Sequence, residues 1–438
     1  MKLMKKLLNK KNLFFSGLCV FIFLFSQIIH MNPAIPLFLI ILYLCFYNKF
    51  VKLKNASLTN LSFLFLISFA IGHALLKEGL AFYFIPILII PMLSVLLFNN
   101  PEVAYFLSLA ASLSLASLCT EPFKVWFIFM AGCSCAILLV NKAQKRTRVI
   151  QAGFICGMVQ VISLVLFEHF WINQPHRYLM ILLISLVSGI IVLGILPIFE
   201  YLLQTVTNIS LLELADSHHP LLQRMILEAP GTYHHSLIVG NLSDTACTTI
   251  GANGLLARVG AYYHDIGKLQ KPEYFIENQQ IKKNLHDELS PTMSKLIIMN
   301  HIKEGLDLAK KYSLSPVLWD FIQQHHGNSL VYYFYRRALE GKEEDQEITE
   351  EGFRYPGPKP NSKETAVVLL ADSVEAATRT LKDPTPAKIE EIVHKIINNK
   401  FIDGQLDECE LTLKDIEKIS SVFTKMLSGI YHSRVNYS

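Results

Sequence analysis

The stretch Gly260-Ala-Tyr-Tyr-His-Asp-Ile-Gly-Lys268 places a histidine and an aspartate side by side at the end of an apolar run. That run, from Leu255 to Tyr263, has the spacing of a buried helix. Burying an imidazole and a carboxylate is costly unless they are paired or bind a metal ion. The pair His264-Asp265 therefore predicts a metal site at the end of a core helix.

Further histidines and an aspartate adjoin apolar helical runs elsewhere in the second half of the chain. His235 begins an apolar helix 29 residues before His264, and His301 follows another apolar run 36 residues after Asp265. The remaining members of this ordered set are His325, His326 and Asp372. A lone His-Asp dipeptide is common by chance, whereas this ordered set on successive helices is not.

The donor types in this set indicate the chemistry. Imidazole and carboxylate ligands without thiolate suit Fe, Mn, Zn or Mg. The HExxH motif of zinc proteases is absent from the sequence, so a zinc protease is not supported. The carboxylate of Asp265 can bridge two metal ions while the neighbouring histidines complete each site. Two such ions would clamp a phosphoryl group and supply hydroxide at neutral pH, so a two-metal phosphohydrolase is expected.

The pattern of the second half, residues 206–438, predicts an all-α bundle that is large enough to hold its own core. A turn is expected at Ala229-Pro230-Gly231. The predicted helices are 236–250, 255–268, 290–312, 314–326, 363–382 and 385–398.

The first half, residues 1–205, differs sharply in charge and hydropathy. It holds 15 Lys and Arg against 5 Asp and Glu, whereas residues 206–438 hold 25 and 31. This asymmetry suits a membrane domain joined to a soluble one, and it does not support binding of a nucleic acid polymer. About eight spans are predicted, at 12–31, 33–48, 57–76, 81–98, 103–119, 123–140, 149–170 and 178–203.

The charges of the short loops predict the orientation. With eight spans and an uncleaved first span, residues 49–56 and 141–148 lie on the same side as the second half. Both loops are rich in lysine or arginine, so the positive-inside rule places this side in the cytoplasm. One helix from about 178 to 216 would connect the two domains.

Six strings, among them the stretch 260–268, carry a resemblance to a known family. They are Glu228-Ala-Pro-Gly-Thr-Tyr-His-His-Ser236, the stretch 260–268, Lys271-Pro-Glu-Tyr-Phe-Ile-Glu-Asn-Gln279, Gln324-His-His-Gly327, Arg354-Tyr-Pro-Gly-Pro-Lys-Pro360 and Leu370-Ala-Asp-Ser-Val-Glu-Ala376. In these strings the chain resembles the seven-transmembrane HD-domain (PgpH-type) cyclic di-AMP phosphodiesterases of the HD phosphohydrolase superfamily. The expected fold class is therefore a polytopic α-helical membrane domain followed by an all-α HD-domain bundle.

The resemblance also implies a function, a location and roles for residues. It implies hydrolysis of cyclic di-AMP to pApA, in bacterial second-messenger signalling at the inner membrane, with two divalent ions, usually iron or manganese. Asp265 and Lys268 would be catalytic, with Lys268 beside the substrate phosphate. One metal would be held by His235, His264, Asp265 and Asp372, and the second by His301, His325 and His326 with Asp265 shared. Substrate contacts would come from Lys268, Tyr274, Glu277, Asn278 and Gln279.

The family pattern is not matched throughout, and alternatives stay open. Members usually carry a large extracytoplasmic domain after the first span, but here only a few residues separate the first two predicted spans. The expected partners are the cyclic dinucleotide and the lipid bilayer, and a homodimer and a membrane regulatory partner are further hypotheses. The competing functions are hydrolysis of cyclic di-GMP or a dNTP, or a non-catalytic nucleotide receptor.

Overall fold

The computed structural model describes residues 55–168, 175–279, 284–341 and 348–431. The first two predicted spans, 12–31 and 33–48, lie outside these residues. Throughout the described ranges the chain is helical and forms no β-strand, with an isolated bridge between Leu330 and Arg354. The prediction of an all-α protein is confirmed.

The chain divides into two compact units, with the boundary between Ile209 and Ser210. In the described part of the first unit, three helices are long and apolar enough to cross a membrane, namely α4 (Pro122–Val140), α5 (Arg146–Glu168) and α6 (Pro175–Leu203). Three more apolar helices precede them, α1 (Asn55–Lys77), α2 (Ile89–Phe98) and α3 (Pro101–Ala116).

One predicted span is interrupted. Residues 81–98 were expected as a single helix, but a 3₁₀ turn at Phe82–Phe84 is followed by an extended residue, Ile85, before α2 begins at Ile89. Pro86 explains the break, because proline disfavours a helical conformation in the residue before it. Pro91 is tolerated because it lies in the first turn of α2, where no intrahelical hydrogen bond is lost.

The long helices of the first unit carry exposed apolar side chains on their outer surface. Leu138, Leu166 and Ile190 are 71%, 72% and 52% exposed, while Gln160 and Ser185 are buried. The hydroxyl of Ser185 donates to Oε1 of Gln160 at 2.8 Å between α5 and α6. Polar groups inside and leucines outside are the arrangement of a helix bundle surrounded by lipid.

The second unit consists of ten helices joined by 3₁₀ turns, as far as the chain is described. They are α7 (Asn208–Leu214), α8 (Pro220–Glu228), α9 (Pro230–Thr249), α10 (Gly254–Tyr263), α11 (Pro291–Lys311), α12 (Pro316–Gln324), α13 (Tyr332–Glu340), α14 (Lys363–Arg379), α15 (Pro386–Ile402) and α16 (Leu413–Ile430), with α7 beginning just before the unit boundary. The centre is α14, whose residues 366–371 are completely buried, and α9 packs against α10, α14 and α16.

Three sequence predictions for these helices were wrong in detail. The expected turn at Ala229-Pro230-Gly231 is the start of α9, because proline at the first helical position loses no hydrogen bond. The predicted helix 255–268 ends at Tyr263 and continues as a 3₁₀ turn, Ile266–Gln270. The single connecting helix 178–216 ends at Leu203, where Gln204 adopts φ 49°, and a new helix begins at Asn208.

Candidate metal centre

The His264-Asp265 pair lies where α10 ends. His264 is the C-terminal capping residue of α10, and Asp265 precedes the 3₁₀ turn Ile266–Gln270. Both side chains are buried, with 0% and 1% of their surface exposed. The turn fits tightly, because a Cβ on Gly267 would lie 1.8 Å from the carbonyl oxygen of His301. Only glycine allows the backbone after Asp265 to approach α11 this closely.

The other five residues of the ordered set converge on this pair. His235 projects from α9, His301 from α11 and Asp372 from α14, while His325 and His326 follow the last turn of α12. The donor atoms group into three sets, within each of which all atoms lie less than 4.8 Å apart. The sets are His235, His264 and Asp372; His264, Asp265 and His325; and His301, His325 and His326.

Asp265 occupies the middle of the cluster. Its Oδ1 lies 3.4 Å from Nε2 of His301 and 3.5 Å from Nε2 of His325. Its Oδ2 lies 3.2 Å from Nε2 of His264 and 3.9 Å from Nε2 of His235. The two oxygens of one carboxylate thus face two different groups of histidines, as a bridging ligand requires.

Backbone carbonyls fix the tautomer of three of these histidines. Nδ1 of His264 lies 2.6 Å from the carbonyl oxygen of Ala261, Nδ1 of His301 2.5 Å from that of Ile298, and Nδ1 of His325 3.0 Å from that of Ile322. A carbonyl oxygen can only accept, so each Nδ1 carries a hydrogen, and in the neutral ring that a metal ion would bind Nε2 presents a lone pair. All three Nε2 atoms face the carboxylate of Asp265.

This arrangement fits a bound cation. The Nε2 atoms of His301 and His325 lie 3.2 Å apart, a distance at which two lone pairs repel each other. Nε2 of His264 and Oδ1 of Asp265 are buried and have no hydrogen-bond partner among the described residues. Unpaired buried acceptors are costly, and divalent metal ions would satisfy all of them. The donor set fits two such ions.

His235 differs from the other histidines because a side chain orients it. Its Nδ1 lies 2.5 Å from Oε2 of Glu375, and its Nε2 lies 3.0 Å from Oδ1 of Asp372. Burial alone would lower the pKa of His235, but these two carboxylates raise it to about 10. Without a metal this imidazole is a cation that donates to both carboxylates, and a metal ion on Nε2 would displace one proton.

His301, His326 and the two aspartates are held in the protonation state that metal ligation needs. Burial lowers the pKa of His301 to about 4 and also lowers that of His326, so both rings are neutral at neutral pH. Burial would raise the pKa of Asp265, but His264 and Lys268 hold it well below the ordinary value. The pKa of Asp372 is likewise lowered against the effect of burial, chiefly by His235.

Lys268 lies between two carboxylates. Its Nζ is 2.7 Å from Oδ2 of Asp265 and 2.7 Å from Oε1 of Glu277, and it lies 5.0 Å from the ring centroid of Phe275. Burial would lower the pKa of Lys268, but the two carboxylates raise it above the ordinary lysine value. Lys268 therefore remains an ammonium ion at the edge of the histidine cluster.

The predicted substrate-contact residues lie in different places. Tyr274 and Glu277 line the cavity beside the cluster, as Lys268 does. Oδ1 of Asn278 instead accepts from the backbone N–H of Thr232, in the first turn of α9. Gln279 donates to the carbonyl oxygen of Glu273. The structure thus gives Asn278 a role in capping the helix that carries His235.

Four histidines of the second unit that are not in the predicted set, His218, His219, His234 and His286, have other surroundings. His234 and His218 are exposed, and His219 is half-buried. His286 is buried, and its Nε2 lies 2.9 Å from the carbonyl oxygen of Tyr274, so it supports the cavity wall.

A cavity of about 880 Å³ opens beside the metal centre. His235, His301, His326 and Asp372 are part of its wall. Its aromatic residues are Tyr274, Phe275, Tyr333, Phe334 and Tyr355. The ring of Tyr355 stacks on that of His326, with 4.3 Å between the centroids. A cavity of this size with aromatic walls is suited to an organic ligand as large as a dinucleotide.

Two residues of the site were missed from the sequence, Glu375 and Arg379. Both lie on α14, three and seven residues after Asp372, and so share one helical face with it. Glu375 is 1% exposed. A glutamate that shares a face with a predicted ligand in an otherwise apolar helix was a signal that could have identified it.

Two family models match the chain. Residues 33–207 match the family described as "7TM receptor with intracellular HD hydrolase", and residues 232–377 match the HD domain. The second match contains all seven residues of the histidine and aspartate set. The first half is thus a multi-pass membrane domain, and the HD domain implies binding of divalent metal ions.

Characterised bacterial proteins are similar over most of the chain. The cyclic-di-AMP phosphodiesterase PgpH of Bacillus subtilis is 44% identical over 71% of this chain and 44% of its own length. PgpH of Listeria monocytogenes is 37% identical over 91% of this chain and 53% of its own. The chain therefore spans about half the length of these relatives. The crystal structure of the Listeria PgpH HD domain in complex with cyclic-di-AMP is 46% identical, covers 50% of this chain and all of its own, and has a TM-score of 0.47.

Proposed function

This chain belongs to the family of membrane proteins with an HD hydrolase domain that includes the PgpH relatives, and we propose that it is a phosphodiesterase that hydrolyses cyclic di-AMP to pApA. One observation carries the proposal: seven metal-donor residues converge beside a cavity large enough for a dinucleotide, and four of them are part of its wall. The aromatic side chains of that cavity offer surfaces on which bases can stack.

The residues of the centre have distinct roles in this proposal. His235, His264, Asp265 and Asp372 would hold one ion, and His301, His325 and His326 the other, with Asp265 shared. The ions would supply Lewis-acid stabilisation of the phosphate and lower the pKa of water at the site. The donor set of imidazoles and carboxylates without thiolate suits several divalent ions, and iron or manganese is proposed among them because the resemblance to the HD phosphohydrolases implies these two.

The protein itself contributes orientation and charge. The carbonyls of Ala261, Ile298 and Ile322 keep three imidazoles in the ligating tautomer. Lys268, protonated and 2.7 Å from Asp265, places a positive charge at the edge of the centre, where it would stabilise negative charge that develops on the phosphate. Asp265 and Lys268 are therefore the proposed catalytic residues, and Tyr274 and Glu277 are proposed to contact the substrate.

The location of the enzyme is also part of the proposal. We place the membrane domain, 1–205, in the bacterial inner membrane and the HD domain, 206–438, in the cytoplasm. The lysine-rich and arginine-rich short loops support this orientation. The family match that begins at residue 33 coincides with the start of the second predicted span. The homodimer and the regulatory partner remain predictions.

The test compares substrates with the purified full-length chain. In Mn²⁺ or Fe²⁺, we expect cleavage of cyclic di-AMP to pApA, and a loss of at least about 100-fold in Asp265→Asn because the shared ligand is weakened. His235→Ala and His234→Ala form a matched pair, since the first is a proposed ligand and the second is exposed. His234→Ala should retain activity and His235→Ala should not.

Other outcomes would contradict the proposal. Cleavage of dGTP or cyclic di-GMP without cleavage of cyclic di-AMP would assign the centre to a different nucleotide. Binding of cyclic di-AMP without turnover in both metals would make the protein a receptor.

A further inference from the structure

Apart from the proposed metal ligand His235, the cavity beside the metal centre has two cationic side chains among its described lining residues, Lys268 and Arg379. The ammonium group of Lys268 already forms ion pairs with two carboxylates, each with an oxygen 2.7 Å from its Nζ. One ammonium charge between two carboxylate charges leaves a locally negative group. Lys268 therefore offers little net charge to an anion elsewhere in the cavity.

Arg379 has different surroundings. It is the last residue of α14, and its side chain is 39% exposed. The carboxylate paired with it is that of Glu375, whose Oε1 lies 3.8 Å from Nη1, beyond hydrogen-bond distance. The other oxygen of Glu375 is bonded to His235. A guanidinium has five N–H donors in a planar fork that matches a phosphate group.

The geometry of α14 directs Arg379 toward the metal centre. Seven residues separate it from Asp372, which corresponds to about 10 Å along the helix axis. Helical side chains lean toward the N-terminal end of their helix, so the long Arg379 side chain extends back toward Asp372. Its pairing with Glu375, one turn earlier, follows the same direction. Both Arg379 and Asp372 line the cavity.

We propose that Arg379 binds the second phosphodiester of the substrate, the one that is not at the metal centre. The inference rests on the proposed function, because a cyclic dinucleotide carries two phosphodiesters and only one of them can occupy the centre. The other anionic group would enter the cavity without a counter-charge unless a cation met it there, and an unpaired charge is costly to bury. Arg379 thus selects substrates with two phosphodiesters over substrates with one.

The experiment compares two substrates in the full-length chain. Cyclic di-AMP has two phosphodiesters, and bis(p-nitrophenyl) phosphate has one. We expect Arg379→Gln to raise the KM for cyclic di-AMP roughly 10- to 100-fold, as expected for loss of a charged hydrogen bond made equally in the ground and transition states. The kcat for cyclic di-AMP, and both constants for bis(p-nitrophenyl) phosphate, should change less than about twofold.

Two further variants complete the design. Arg379→Lys keeps the charge but loses the fork, so its KM should lie between those of the wild type and Arg379→Gln. Arg336→Gln is the matched control, because Arg336 is 68% exposed on α13 and pairs with Glu340. It should leave both substrates unaffected. If Arg379→Gln does not fold, the KM of Arg379→Lys decides the question.

Two results would overturn the inference. An unchanged KM for cyclic di-AMP in both Arg379 variants would show that the guanidinium does not meet the substrate. Equal effects on the two substrates would assign Arg379 a structural role, such as stabilising the C-terminal end of α14 through the helix dipole. The proposed function would instead be overturned if the wild type cleaved bis(p-nitrophenyl) phosphate but not cyclic di-AMP. This outcome requires only the wild type, so it is distinguished from the effect of the Arg379 variants.

Discussion

At the scale of single residues, the centre depends on what each imidazole does with its second nitrogen. His264, His301 and His325 donate to backbone carbonyls, which no substitution can remove directly. His235 alone among these four relies on a side chain, the buried carboxylate of Glu375. Partners of this kind fix the ring orientation and raise the basicity of the ligating nitrogen. Glu375 is therefore a positioning residue that can be tested by substitution.

We expect Glu375→Gln to lower the affinity for the metal ion that His235 would hold by about 10- to 100-fold. The amide can still accept from His235 through its oxygen, but it carries no charge to polarise the ring. Competition with a metal chelator measures this affinity without reference to activity. Glu391→Gln, at an exposed position on α15, is the matched control. Equal affinities in the two variants would refute the role of Glu375.

At the scale of elements, the 3₁₀ segment Ile276–Asn278 contacts and caps the start of α9. No side chain at the capping position, Ala229, satisfies the first turn of α9. Asn278 does so from the 3₁₀ segment Ile276–Asn278, through the bond to the backbone of Thr232 at 3.0 Å. Gly231 allows the close approach, since a Cβ there would lie 1.9 Å from the carbonyl oxygen of Glu277. The helix that carries His235 is thus fixed by the loop that carries Glu277.

Asn278→Ala should lower the unfolding temperature of the HD unit by roughly 2–4 °C, because loss of a helix cap costs about 1 kcal/mol. Thermal unfolding of the full-length chain in detergent, followed by circular dichroism, measures the shift. Asn241→Ala, at an exposed position on α9 itself, provides the comparison and should cause a smaller change. A larger loss in Asn241→Ala would show that the cap is not the important contact.

The sequence predicted which side chains come together better than it predicted the elements around them. Each of the seven donors adjoins an apolar helical run, so burial could be inferred locally, and the structure brings all seven together. Glu375 and Arg379 were missed because their importance depends on what α14 faces after folding. The break at Gln204 has no strong sequence signal, since it contains neither glycine nor proline. α13 was missed as well, because its short amphipathic pattern lies beside a long polar stretch.

At the scale of the whole molecule, charge and hydropathy separate the two halves and orient the membrane domain. The loop between α4 and α5 contains Lys142 and Lys145, and Arg146 and Arg148 follow in the first turn of α5. The turn between α3 and α4 contains a glutamate instead. Membrane proteins retain such positive loops in the cytoplasm. With an even number of predicted spans, we therefore expect the HD domain on the cytoplasmic side.

Reporter fusions test this orientation. Alkaline phosphatase, which is active only outside the cytoplasm, should be inactive when fused after Lys145 or Ser438 and active when fused after Thr120. A fluorescent protein fused after the same three residues should give the opposite pattern. Phosphatase activity after Ser438 would place the HD domain outside and contradict the account.

The central claim is that the seven residues form one centre for two metal ions joined by Asp265. Elemental analysis of the purified full-length chain, after gel filtration in the presence of Mn²⁺, tests this claim without any substrate. We expect two metal ions per chain in the wild type and fewer in Asp265→Asn, because a bridging carboxylate contributes to both sites. A single ion per chain in the wild type, or equal metal content in the two proteins, would contradict it.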